Sequence, residues 1–256
     1  MKLLFSFILI SLCLLIWSMF IEPNILIVKH LTIHDEQLKG LKIVFASDFH
    51  IKPHETYRLN KIVRTINEQN PDIVLFGGDY VNGHKKGNSL SIEKIAKKFS
   101  YIVSKYGTYV VIGNHDGWQG KEEIIEALKK NGINVLFNNN ACFKDFCIAG
   151  VDDLQTGNPD IEKALSGVNK PVILLTHTPD IMPNVPYNVN LTLAGHLHGG
   201  QVRLSKALIV PSIYGDKYAN GFLNDKGKKI YTTKGLGTSI LPIRFNCPPE
   251  IVVIEF

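Results

Sequence analysis

The chain opens on an uninterrupted apolar run, Leu3–Ile21 (LLFSFILISLCLLIWSMFI), with Lys2 before it and Glu22-Pro23 after it. About 20 such residues at roughly 1.5 Å rise cross the hydrocarbon core of a bilayer. A cleaved signal would have a shorter apolar core and a small-x-small site behind it. Here Ser18 is flanked by Trp17, Met19, Phe20 and Ile21, all bulky. The pattern therefore predicts an uncleaved signal anchor over residues 1–24, ahead of a cleaved signal or a buried soluble helix. Residues 25–40 read as a linker and lead-in strand, and residues 41–256 as the globular domain.

From Lys42 onward, short β-branched runs alternate with helical patterns. Lys42–Ser47, Asp72–Phe76 and Thr108–Ile112 read as buried strands. Between and after them, Tyr57–Gln69, Ser91–Lys105 and Lys121–Lys130 carry apolar residues at helical spacing. The remainder is richer in strands: Val135–Phe137, a Cys142–Cys147 hairpin, Pro171–Thr176, Leu191–Ala194, Ala207–Val210, Lys229–Thr232 and Ile251–Phe256. Strands alternating with helices predict a layered α/β fold with helices outside.

Composition is that of a globular protein, with 45% hydrophobic and 20% charged residues. The formal net charge of +5 suits a polyanionic substrate or an anionic membrane surface and gives no argument for nucleic acid. Lys2 and the free amine favour a cytoplasmic amino terminus and hence a domain outside, although Lys29 lies on the other side. If Lys144-Asp145 is a two-residue turn, Cys142 and Cys147 face each other at a non-hydrogen-bonded pair. Two free buried cysteines and a disulfide in an oxidising compartment are both open. No CxxC zinc cluster is present.

The chemistry lies at the strand ends. The first strand runs into Asp48-Phe-His50, the second into Gly77-Gly78-Asp79 and the third into Gly113-Asn114-His115-Asp116. Pro171–Thr176 runs into His177, and Leu191–Ala194 into His196-Leu-His198. The carboxyl ends of strands are where α/β sheets place ligands. Asp48, His50, Asp79, Asn114, His177, His196 and His198 exceed what one ion of this kind takes from protein. Two divalent ions about 3.5–4 Å apart and bridged by a carboxylate would use them all. Mixed imidazole, carboxylate and amide donors suit Mn foremost, with Fe or Zn, over Mg or Ca. Water held between two such ions is acidified towards hydroxide and poised for attack on phosphorus.

The order D-x-H, GGD, GNHD, H, GHxH resembles the calcineurin-like metallophosphoesterase superfamily over nearly the whole chain after the anchor. His177–Asp180 (HTPD), Ala194–Gln201 (AGHLHGGQ) and Gly235–Ile251 (GLGTSILPIRFNCPPEI) resemble its membrane-anchored bacterial subgroup. That subgroup includes UDP-2,3-diacylglucosamine pyrophosphatases of lipid A synthesis alongside plain phosphodiesterases. The resemblance implies a four-layer α/β/β/α sandwich in the bacterial inner membrane, acting on a phosphate-containing, lipid-linked substrate. It implies Asp48, His50 and His198 on one metal, Asn114, His177 and His196 on the other, and Asp79 bridging. It further implies His115 as the group that meets the phosphoryl oxygen or leaving group, oriented by Asp116. A general phosphodiesterase or nucleotidase of the envelope, acting on soluble substrates, is the alternative.

Arg244, in LPIRF, carries a planar fork suited to phosphate, and equally to a structural ion pair. Gly235–Gly237 lacks the Lys-Ser/Thr of a P-loop and reads as a turn beside the site. Gln201 reads as support for the site, and His54 and His84 as loop residues without a role.

Overall fold

A computed structural model of the chain describes residues 2–204 and 210–256. The strand expected at Ala207–Val210 falls, apart from Val210, outside the described residues. Helix α1 (Lys2–Ile16) runs on through a π-helical turn, Trp17–Ile21, and a 3-10 turn, Glu22–Asn24. No residue of α1 is buried, so it is not a core helix. Taken together, Lys2–Asn24 is long and apolar enough to cross a membrane.

The first sheet is built from β1 (Ile27–Thr32), β2 (Lys42–Ala46), β3 (Ile73–Phe76), β4 (Thr108–Val110), β5 (Asn134–Val135) and β12 (Glu250–Glu255), in the order β1-β12-β2-β3-β4-β5. The second holds β6 (Asn139–Cys142), β7 (Cys147–Gly150), β8 (Val172–Leu175), β9 (Leu191–Ala194), β10 (Gly221–Asp225) and β11 (Lys228–Thr232), in the order β10-β11-β9-β8-β7-β6. Strand parity assigns each side chain to a layer. Val44, Ala46, Val74 and Phe76 face helices α2 (Thr56–Glu68), α3 (Ile92–Phe99) and α4 (Asn114–Lys130). Ile43, Phe45, Ile73 and Leu75 face the second sheet, meeting Ile148, Ile173, Leu175 and Leu193. Val172 and Leu174 face outward again, under α5 (Ile161–Ala164) and the 3-10 turn Pro179–Asn184. Strands covered on both faces read as continuous apolar runs, as β3 and β8 do. The result is the four-layer α/β/β/α sandwich, with a thin fourth layer.

Within residues 25–40, β1 is a lead-in strand, and two helix bounds differ from expectation. β1 pairs in parallel with β12 from Ile27↔Glu250 to Thr32↔Glu255, and Ile33 and Leu38 are buried between the sheets. The third predicted helix begins at Asn114, with a kink at Gly120 (φ 122). The helix predicted to Lys105 stops at Phe99. There the Asn67 amide, on α2, donates to the Tyr101 carbonyl (2.9 Å) and accepts from the Val103 N–H (3.0 Å), holding that chain extended.

The Cys142–Cys147 alternatives resolve as a disulfide. The Phe143 N–H donates to the Phe146 carbonyl (2.8 Å) around Lys144-Asp145, which leaves Cys142 and Cys147 opposite each other. A crosslink closing so short a loop stabilises by about 2 kcal/mol in the chain-entropy account. Double replacement by serine is therefore expected to lower stability by about that amount in denaturant titration. Indistinguishable midpoints, with and without reductant, would show that the bridge contributes nothing.

Candidate metal centre

The carboxyl ends of β2, β3 and β4 in one sheet and of β8 and β9 in the other converge on one point. All seven residues expected as ligands are brought there, and all are buried. Five of them, Asp48, His50, Asp79, His196 and His198, have φ between 40 and 72°. Left-handed backbone at a non-glycine residue costs on the order of 1–3 kcal/mol and persists where the surroundings impose it, as at functional sites. Here each reversal turns a side chain sharply off a strand end into the shared centre.

The donor atoms crowd each other. His50 Nε2 lies 3.2 Å from His198 Nε2 and 3.4 Å from Asp79 Oδ2, and His198 Nε2 lies 3.7 Å from Asp48 Oδ1. On the other side, His177 Nε2 is 3.4 Å from Asp79 Oδ2, 2.9 Å from Asn114 Oδ1 and 3.2 Å from His196 Nδ1. Donors sharing one ion at about 2.1 Å are roughly 3.0–3.4 Å apart. Imidazole nitrogens and carboxylate oxygens converge this closely when protons or cations lie between them, and these spacings match those of ligands on a shared ion. The residues therefore fit a pair of metal ions, with Asp79 Oδ2 common to both groups. His177 is aimed by its other nitrogen, whose N–H donates to the Gly77 carbonyl at 2.7 Å, the outer hydrogen bond typical of metal-ligating imidazoles.

Electrostatics agree. Burial pushes the imidazoles of His50 and His196 down, to about 3 and about 4, and His198 well below its ordinary value. These three are neutral, the form that ligates. Burial alone would raise the Asp79 carboxyl, but the surrounding imidazoles, His177 foremost, hold it below the usual carboxylate range. Burial likewise opposes charge on His177, and Asp79 outweighs it, carrying the imidazole up to about 10. Asp48 is raised to about 7 by burial, with Asp79 adding to it. Without cations, protons take the positive places in this cluster, so metal uptake should release them.

Other assignments change. His115 lies against His50, ring centroids 4.6 Å apart. It is oriented by the Gly83 carbonyl, which accepts from its Nδ1 at 3.0 Å, and not by Asp116. Adjacent residues at a helix start diverge. The Asp116 carboxylate instead accepts the N–H groups of Asp79 (2.8 Å), Tyr80 (2.9 Å), Val81 (3.3 Å) and Gly113 (3.0 Å). It shapes the backbone that presents Asp79. Arg244 is fully buried, and its guanidinium donates to the carbonyls of Lys234, Gly235, Gly237 and Cys247. It has no fork free for phosphate and is corrected to a structural residue.

Gln155 and Trp118 carry no sequence signal, and His84, read as a loop residue without a role, joins them at the site. Gln155, on the loop after β7, places Nε2 3.0 Å from His196 Nε2. His84 stacks on Trp118 with centroids 4.4 Å apart and touches His115. These residues, with Leu197, Val202, Ile240, Leu241 and Ile243, line an open cleft of about 380 Å³ over the centre. Gln201 accepts from the Ser239 N–H (2.6 Å) and donates to the Leu241 carbonyl (3.2 Å), bracing one wall of it.

The flanking glycines serve backbone proximity. A Cβ on Gly195 would sit 2.6 Å from Asp48 Oδ2 and against Ser47 Oγ. Gly195→Ala is therefore expected to weaken Mn²⁺ binding by about 10–100-fold, the usual cost of disturbing a ligand's support. Calorimetric titration checks this, and an unchanged affinity would mean that the Asp48 loop yields freely.

Residues 41–200 match the family model for the calcineurin-like phosphoesterase domain. The chain is 32% identical over 253 residues to the metallophosphoesterase YkuE of Bacillus subtilis, covering 93% of this chain and 87% of that one. It is 34% identical over 242 residues to the phosphodiesterase YaeI of Escherichia coli, covering 90% and 87%. A transmembrane protein with metallophosphoesterase domain from Danio rerio is 30% identical over 240 residues, 86% of this chain and 54% of that protein. A family match over residues 41–200 and two bacterial relatives similar over 87% of their own length agree with what the strand ends assemble, and the chain belongs to the calcineurin-like phosphoesterase family.

Proposed function

We propose that the protein is an anchored phosphodiesterase using two divalent ions, Mn²⁺ foremost, and that its substrate is membrane-associated. The observation that carries the metal chemistry is Asp79 Oδ2, 3.4 Å from Nε2 of both His50 and His177. Asp48, His50 and His198 would hold one ion, Asn114, His177 and His196 the other, and Asp79 both. When bound, such ions supply Lewis-acid charge and acidify a water nucleophile. The chain's own residues do the rest. A carbonyl only accepts, so the contact with Gly83 keeps a proton on His115 Nδ1. Nε2 is left to take a proton or, when protonated, to donate one to a phosphoryl oxygen or leaving group. The apolar walls at Leu197, Val202, Ile240, Leu241 and Ile243 suit an amphiphile, and α1 keeps the cleft beside one.

The finer reading is a lipid-linked pyrophosphate of the UDP-2,3-diacylglucosamine type. One observation favours the alternative, a general envelope phosphodiesterase. The Cys142–Cys147 bridge belongs to an oxidising compartment, which agrees with the Lys2 orientation and not with a cytoplasmic nucleotide-lipid.

Full-length protein in detergent micelles, assayed on bis-p-nitrophenyl phosphate and on UDP-2,3-diacylglucosamine with and without Mn²⁺, tests this. Mn²⁺-dependent UMP release would establish the lipid reading. Cleavage of the simple diester alone would establish the alternative. Metal bound in two equivalents with neither substrate cleaved would refute both.

A further inference from the structure

The Ser239–Ile243 loop is built unlike a solvated loop. Ile240 is 97% exposed and Leu241 57%. Ile240 also stands at φ 60°, a conformation that β-branched residues avoid. Water gives no return for holding a bare isoleucine in strained backbone. The loop is nevertheless fixed, by the two Gln201 side-chain hydrogen bonds and by the Leu241 N–H donated to the Ser239 carbonyl (2.7 Å).

Its position gives the reason. Directly after the loop, the Arg244 N–H donates to the Ser18 carbonyl of the N-terminal helix at 2.9 Å. The Cys247 N–H donates to Glu22, which also accepts from Trp17 Nε1 at 2.7 Å. Met19 and Pro242 share a crevice with His50. The loop is thus level with Ser18 and Met19, roughly 8 Å down the axis from Asn24 at 1.5 Å per residue. Interfacial apolar segments sit about that deep. Lys52 opens on the same crevice, and Lys61 reaches the Asn24 carbonyl at 3.3 Å. Both bring positive charge to the level of lipid headgroups.

We infer that Ile240 and Leu241 insert into the interfacial layer of an anionic bilayer beside the anchor, so that the metal cleft opens at headgroup level. This rests on the reading of Lys2–Asn24 as a membrane span. Continuity with that span is what commits the loop to lipid and not to a protein partner.

The test uses full-length protein in phosphatidylethanolamine–phosphatidylglycerol vesicles, in a Cys13→Ser background. Cys247 is buried and the other two cysteines are bridged. An environment-sensitive dye is placed at Ile240→Cys, Leu241→Cys, Ile16→Cys or Lys39→Cys. Lys39 precedes β2, at the end of the sandwich opposite the site. Blue-shifted emission quenched by brominated phospholipid is expected at 240, 241 and 16 and not at 39. Quenching at 16 with 240 and 241 behaving like 39 overturns the insertion alone. No quenching at 16 overturns the span reading, and the insertion with it. Neither outcome depends on whether any phosphoester is hydrolysed.

Discussion

Asp79→Ala protein is expected to hydrolyse bis-p-nitrophenyl phosphate on the order of 10³-fold more slowly than wild type in Mn²⁺, and to hold at most one metal ion per chain. Asp79 Oδ2 is the oxygen within 3.4 Å of an imidazole from each half of the centre, so removing it leaves two incomplete half-sites. Metal ions supply several kcal/mol of transition-state stabilisation, and each 1.36 kcal/mol is tenfold in rate. Oδ1 separately accepts the His115 N–H at 2.9 Å, so alanine also loosens the start of α4. Asp79→Asn separates the two effects. It keeps an acceptor for His115 but withdraws the negative charge shared by the halves, and should match alanine in activity while remaining nearer wild type in stability. Steady-state rates with elemental analysis of the purified proteins check this. A rate within tenfold of wild type, with two ions retained, would remove Asp79 from the bridging position.

The candidate ligand cluster is legible because its residues are tied to features that a linear pattern exposes. β3 and β8 are continuous apolar runs and β2 is nearly so, and a candidate metal ligand stands just past each, at Asp79, His177 and Asp48. What escaped depends on contacts between distant segments. Gln155 reaches His196 from a loop whose composition is that of any turn, and His84 gains a place only through Trp118, a full helix turn into α4. The resemblance implies Asp116 as the partner of His115, but the fold turns its carboxylate to backbone donors instead. Its carboxylate is spent on backbone donors 35 to 37 residues away and at Gly113. The early end of α3 depends on one side chain, Asn67, borrowed from α2.

Arg244 was ambiguous for a chemical reason, because a guanidinium fork fits a phosphate and a cluster of carbonyls equally well. Burial decides between them, and it predicts the largest stability loss in the molecule outside the hydrophobic core. Arg244→Met preserves length and removes every donor. It leaves the carbonyls of Lys234, Gly235, Gly237 and Cys247 without the partner that now satisfies them. Orphaned buried acceptors cost about 1–3 kcal/mol each, and breaking a buried charged network about 3–5 kcal/mol in all. A loss of about 4–5 kcal/mol, or a Tm lower by roughly 10–15 °C for a chain of this size, is expected. Burial also pushes the guanidinium pKa down, but its ordinary value is so high that it stays charged. Arg244→Lys keeps a cation but presents one nitrogen to four carbonyls, and should recover no more than about half of the loss. The damage also reaches the metal centre. Gly237, held by Arg244, donates its N–H to the Asp48 carbonyl (2.6 Å), and Leu236 donates to that of Ser47 (3.0 Å), so a loosened 235–237 turn unseats Asp48. Thermal unfolding and the KM for a simple diester, measured on both variants, distinguish the roles. A lower Tm with an unchanged KM at saturating Mn²⁺ is the structural result. An unchanged Tm with a raised KM would return Arg244 to the substrate.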